Sequence, residues 1–135
     1  TRDIDVRLQM PKEPYMLYTD PLRLQQVIIN LLNNALKFTP DGGSITLDYE
    51  VDEEKQCMLF SVTDTGTGIP EDKQELVFQR FEKLNEFVQG TGLGLAICKL
   101  TIQYMGGDIW IDKNYKNGAR FIFSHPIKKQ ESTEK

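Results

Sequence analysis

Hydrophobic residues recur at two periods along this chain. Between Asp20 and Phe38, Leu24, Val27, Ile28, Leu31, Leu32 and Ala35 fall three and four apart, which predicts one long amphipathic helix. Asp20 can cap it, and Pro21 suits the first helical position, where a missing N–H is harmless. The breakers in TPDGG predict its end. Short apolar or alternating runs predict strands at 4–10, 15–19, 44–51, 57–63, 107–112 and 119–125. Further helices are predicted at 71–81 and 93–105. The order β-β-α-β-β-α-α-β-β predicts an α/β sandwich, a mixed sheet with three helices on one face. No repeat or linker divides the chain. Residues 1–127 therefore read as one domain, and the polar tail 128–135 (KKQESTEK) as disordered.

Composition narrows the function classes. A chain of 135 residues has room for one core, and 16 basic against 20 acidic side chains leave a net charge of −4. That balance argues against a nucleic-acid surface, which needs a concentrated positive stripe. No apolar run exceeds four residues, so no transmembrane segment and no secretory signal are expected. Cys57 and Cys98 lack zinc-site spacing and read as buried thiols in a reducing compartment. A single histidine, His125, disfavours His-based metal sites and a Ser-His-Asp triad.

Three features carry candidate chemistry. On the long helix, Asn30, Asn34 and Lys37 lie within roughly 60° of one another, about 120° from the centre of the apolar stripe. Asparagine is a poor helix former, yet Asn30, Asn33 and Asn34 occupy three of five consecutive positions. Side-chain amides offer a neutral oxygen to a hard cation and an N–H to phosphate, and a lysine adds a point charge. A solvated helix edge is the plainer reading of that stripe. The second feature is Asp64-Thr-Gly66-Thr-Gly68-Ile69-Pro70, directly after a strand. Its glycines permit close approach of a ligand, and a carboxylate ending a buried strand needs a donor, such as a purine exocyclic amine. A tight turn with a self-capping aspartate fits equally. The third is Gly90-Thr91-Gly92-Leu93-Gly94-Leu95, opening a helix whose free N–H groups and dipole favour an anion, phosphate above all. It matches neither a dinucleotide GxGxxG nor a P-loop, and alone it would also serve as a hinge.

Taken in order, these segments resemble the ATP-binding catalytic domain of sensor histidine kinases. The N box is Asn30-Leu-Leu-Asn-Asn34-Ala-Leu-Lys37-Phe38, and two glycine boxes follow at 64–69 and 90–95. Phe78-Gln-Arg-Phe81 between them is similar to the family's F box. The resemblance runs from about Asp20 to Phe123 and implies the Bergerat fold with ATP and Mg2+ as ligands. It implies that Asn34 gives its amide oxygen to Mg2+, with Asn30 beside it at the phosphates. Lys37 would pair with phosphate, and Phe38 would line the sugar or base. Asp64 would accept the adenine amine, with Gly66, Gly68 and Ile69 against the purine. Gly90, Thr91, Gly92, Leu93, Gly94 and Leu95 would fold over the triphosphate, and Lys83 would reach the γ-phosphate.

Within the wider superfamily, hydrolysing ATPases typically carry a glutamate where this chain has Asn30, which cannot act as a base near neutral pH. The resemblance therefore implies a protein-histidine kinase domain whose phosphoacceptor lies elsewhere, on a helical hairpin domain of the same parent. A response regulator receiver domain would act downstream. The expected setting is cytoplasmic, with a monomeric fragment, a homodimeric parent whose membrane anchoring is left open, no nucleic acid and no membrane contact by this domain. His125, near the end of the last strand, is expected to be an ordinary strand residue. The alternatives are a serine-kinase relative of the same fold and a degenerate nucleotide-binding module without transfer. Two departures from the family pattern are a short lid (84–89) and Arg120 where a small hydroxyl residue is common. The latter puts a water-bridged contact to adenine from this strand in doubt.

Overall fold

The computed structural model describes residues 4–9, 17, 19–74, 77–78 and 92–127. In chain order the elements are β1 (Asp5–Gln9), α1 (Pro21–Phe38), β2 (Ser44–Asp52), β3 (Cys57–Asp64), a 3-10 turn (Glu71–Lys73), α2 (Gly92–Tyr104), β4 (Ile109–Ile111) and β5 (Ala119–Pro126). The strands form one sheet in the order β1-β2-β3-β5-β4. β1 runs parallel to β2 and every other pair is antiparallel, so the sheet is mixed as expected.

The long helix forms where the apolar period and its end signals agree. Asp20 Oδ1 accepts from the Arg23 main-chain N–H at 3.3 Å, and Pro21 occupies the first turn. α1 buries Val27 and Leu31 against the sheet and α2. In the sheet the alternation of burial along β5 turns Ala119, Phe121, Phe123 and His125 to the helical side. Phe60 and Phe123, paired in register, stack at 4.7 Å, and Tyr49 extends this ladder across three strands. The opposite face is polar: Asp48 accepts from the Ser61 hydroxyl at 2.7 Å.

Two α-helices pack on the sheet among the described residues. Where a third was predicted, over 71–81, the described part is the 3-10 turn, closed by Gln74 N–H to Glu71 O at 3.3 Å, followed by turns. Residues 75–76 and 79–81 lie outside the described set. Val77 is nevertheless fully buried and Phe78 meets Phe121 edge-on, so this segment covers the same face. The strand predicted at 15–19 falls mostly outside the described residues, and Leu17 and Thr19 carry no strand pairing. The tail 128–135 also lies outside them. Among the described residues no helix is long and apolar enough to cross a membrane.

Candidate functional site

α1 and α2 run antiparallel. Arg23, in the first turn of α1, lies 4.9 Å from the ring centre of Tyr104 at the end of α2. Further along, the Cys98 thiol donates to Val27 O at 3.9 Å. Six residues separate Cys98 from Gly92, about 9 Å of helix. The N-terminus of α2 therefore lies alongside Asn33 and Asn34, and its positive end faces the asparagine stripe.

That packing changes the character of the stripe. On a helical wheel Asn34 belongs to a polar edge, but in the fold it is 4% exposed, in line with Val27 and Leu31. α2 covers the side of α1 that sequence periodicity assigned to solvent. Asn34 Oδ1 is buried with no hydrogen-bond partner among the described residues. Asn30 is half-buried, with its amide beside the Cys98 thiol. Burial pushes the Cys98 thiol up to about 11, a shift that the Asn30 contact moderates. Cys98 is thus a buried, inert thiol, as expected. Cys57, expected to be buried, is only partly so at the exposed start of β3. Lys37, in the last turn of α1, is exposed, and Phe38 is half-buried.

The loop after β3 is tied to the end of α1. Thr67 N–H donates to Phe38 O at 3.3 Å, and Thr65 exchanges main-chain and side-chain bonds with Ser44. Gly66 lies so close that a Cβ there would stand 2.0 Å from Phe38 O. Gly68 takes a φ of +76°, open to glycine at little cost. Ile69 is half-buried, and Leu95 is a core residue at 2% exposure in the first turns of α2. Gly92, Leu93 and Gly94 are backbone of that turn, while Lys83, Gly90 and Thr91 lie outside the described residues.

Asp64 is the most constrained group here. It is 2% exposed, and Oδ1 accepts from Gly66 N–H at 2.8 Å and Ala119 N–H at 3.1 Å. The self-capping turn is therefore real, but it uses one oxygen. Oδ2 accepts no hydrogen bond from the described residues. Burial holds the carboxyl above its ordinary value, an effect that the Gly66 and Ala119 bonds oppose. Sequence reasoning missed three contributors, Tyr115, Gly118 and the Ala119 main chain, all on or beside the β4–β5 connection. The Tyr115 hydroxyl donates to Asp64 O at 3.1 Å. Arg120, noted as a departure from the family pattern, makes no contact with the Asp64 carboxylate. Its register partner is Thr63, and it points away from Asp64, 3.7 Å from the Asp112 carboxylate.

His125 is 3% exposed, with Nδ1 2.8 Å from Pro126 O and Nε2 2.8 Å from the Thr19 hydroxyl. Both ring nitrogens are engaged, so it presents no nucleophile. Among the described residues no three His, Cys, Asp or Glu side chains gather into a metal cluster.

Residues 19–129 match the family described as histidine kinase-, DNA gyrase B-, and HSP90-like ATPase. The adaptive-response sensory kinase SasA of Nostoc sp. is 40% identical over 94% of this chain, which spans 32% of that protein. The sensor histidine kinase WalK of Bacillus subtilis is 37% identical over 93% of the chain, which spans 21% of it. Among solved structures, the catalytic domain of the histidine kinase ThkA is 37% identical with a TM-score of 0.80, covering 92% of this chain and 79% of that one. ThkA in complex with the response regulator protein TrrA is 33% identical, with a TM-score of 0.76, over 93% of this chain and 34% of that one.

Proposed function

The chain belongs to the histidine kinase-, DNA gyrase B- and HSP90-like ATPase family, and from that premise we propose that it is the ATP-binding catalytic part of a sensor histidine kinase. It binds ATP with Mg2+ and donates the γ-phosphoryl to a histidine on a helical hairpin domain of the same parent protein. The parent then passes the group to a response regulator.

The observation that carries this reading is Asp64. A buried carboxylate whose bonds among the described residues all use Oδ1 offers Oδ2 to an N–H donor, and the adenine amine is such a donor. The purine lies against Gly66, Gly68 and Ile69, with Phe38 at its edge. From there the phosphates extend toward Lys37 and the N-terminus of α2, where free N–H groups and the helix dipole favour anions. The buried, unpartnered Asn34 Oδ1 suits a hard cation, so Asn34 would hold Mg2+, with Asn30 beside it. When bound, Mg2+ neutralises phosphate charge. Lys37, Lys83 and the backbone of 90–95 share that task and orient the γ-phosphate.

Transfer here is positioning plus charge neutralisation. The acceptor imidazole attacks the γ-phosphorus, the bond to the ADP oxygen breaks, and the imidazole loses its proton to solvent. Asn30, an amide, provides no base to activate water, so ATP is spared from hydrolysis. The test supplies a phosphoacceptor hairpin in trans with γ-labelled ATP. We expect acid-labile, base-stable label on the hairpin histidine and none on this chain alone. Label on serine, or tight ATP binding without any transfer, would sink the proposal.

A further inference from the structure

We propose that Tyr115 is a positioning residue for the base-recognising carboxylate, through which the β4–β5 connection sets how strictly the site demands a purine bearing an exocyclic amine. The inference rests on the reading of Asp64 as the base acceptor.

Asp64 ends β3, and its local chain supplies only one of its anchors, the Gly66 N–H. The others come from a segment more than fifty residues away. The Tyr115 hydroxyl donates to the Asp64 main-chain oxygen at 3.1 Å, and Ala119 N–H donates to Oδ1 at 3.1 Å. Between them Gly118, at a φ of +152°, lies so close that a Cβ would stand 2.0 Å from that same main-chain oxygen. One short segment therefore grips both the carbonyl and the carboxylate of a single residue.

This grip determines where Oδ2 points. An aspartate side chain has two rotatable bonds; Gly66 N–H from its own loop and Ala119 N–H from β5 hold Oδ1, and the set of the backbone decides the rest of its aim. The peptide plane leading into the glycine loop is held on one side by Thr65 N–H to Ser44 O at 3.1 Å and on the other by the Tyr115 bond. With the plane held, Oδ2 has one direction. A purine amine meets it as a donor, whereas a 6-oxo purine brings an oxygen against a carboxylate and is rejected. Without the hydroxyl the plane is held from the Ser44 side alone, the aim of the acceptor loosens, and discrimination falls before binding of the phosphates does.

The phenol is suited to this role. Burial first, and the Asp64 carboxylate second, hold its ionisation above the ordinary tyrosine value, against a smaller opposite pull from Arg120, so the hydroxyl remains a donor at neutral pH. Tyr115 also borders a cavity of about 250 Å³ with Thr67, Gly68, Ile69 and Gly118.

The experiment compares wild type with Tyr115→Phe, titrating each with ATP and with inosine triphosphate in the presence of Mg2+, alongside thermal melting. Phenylalanine keeps the ring and its packing. Loss of one neutral hydrogen bond predicts about a fivefold weaker ATP affinity, with inosine triphosphate affinity unchanged. In the trans transfer assay KM for ATP should rise while kcat at saturation holds. Unchanged ATP affinity, or equal weakening of both nucleotides, overturns the positioning role, whatever happens to the melting temperature. If the wild-type chain binds ATP but fails to prefer it over inosine triphosphate, the assignment of Asp64 falls and the inference with it. If wild type binds neither, the functional reading itself is overturned.

Discussion

At the residue scale, Asp64 and Asn34 are polar groups placed where apolar ones would be cheaper, and each makes a prediction. Asp64→Asn keeps an acceptor oxygen for Gly66 and Ala119 but removes the buried charge. Its folded-state carboxyl sits above the ordinary value of 3.8, so ionisation opposes folding. That group's contribution is present below the unfolded value and is lost as pH rises through the folded one. The variant should therefore melt higher than wild type at pH 7, with the gap closing as pH falls below about 4. Thermal melts across that range decide it. Its ATP affinity should fall about tenfold to a hundredfold, because an amide N–H2 would face the purine amine. Asn34→Ala should behave differently. An oxygen with no partner among the described residues contributes little to stability, so the loss should stay within about 1 kcal/mol. Nucleotide titrations with and without Mg2+ should show its effect only when the metal is present. A large stability loss, or equal effects in both titrations, would contradict the assignment.

At the element scale, the site depends on how α1, α2 and the loop after β3 are held together. The loop touches the end of α1 backbone to backbone, which is why position 66 is a glycine. Gly66→Ala would bring a methyl group within 2.0 Å of Phe38 O, so the loop must shift. We expect a destabilisation of about 1–3 kcal/mol by chemical denaturation, with ATP binding weakened beyond what that loss explains. The start of α1 was legible from Asp20 and Pro21, because a cap and a fixed φ act within one turn. The helix predicted at 71–81 was not read correctly in its described part. Its opening residues form a 3-10 turn, and the apolar signal came from Val77 and Phe78 packing onto the sheet.

For the whole molecule, the sequence by itself determined the mixed sandwich, the boundaries of α1, and the set of residues that could carry chemistry. Periodicity, caps and glycine loops act over a few residues and can be read without a fold. It also determined that the single histidine stands on a strand, and the fold adds that both its nitrogens are already engaged. Only the tertiary structure decided which face of α1 is inside. A helical wheel knows one partner surface, and α1 has two, the sheet and α2. Between them they bury Asn34, which the wheel leaves at the edge. The same reason hid Tyr115 and Gly118. They meet Asp64 across 51 residues and more of intervening chain, and no local pattern marks a tyrosine as a donor to a particular carbonyl. Local physics placed the groups proposed to meet the nucleotide, and long-range packing decided how firmly each is held.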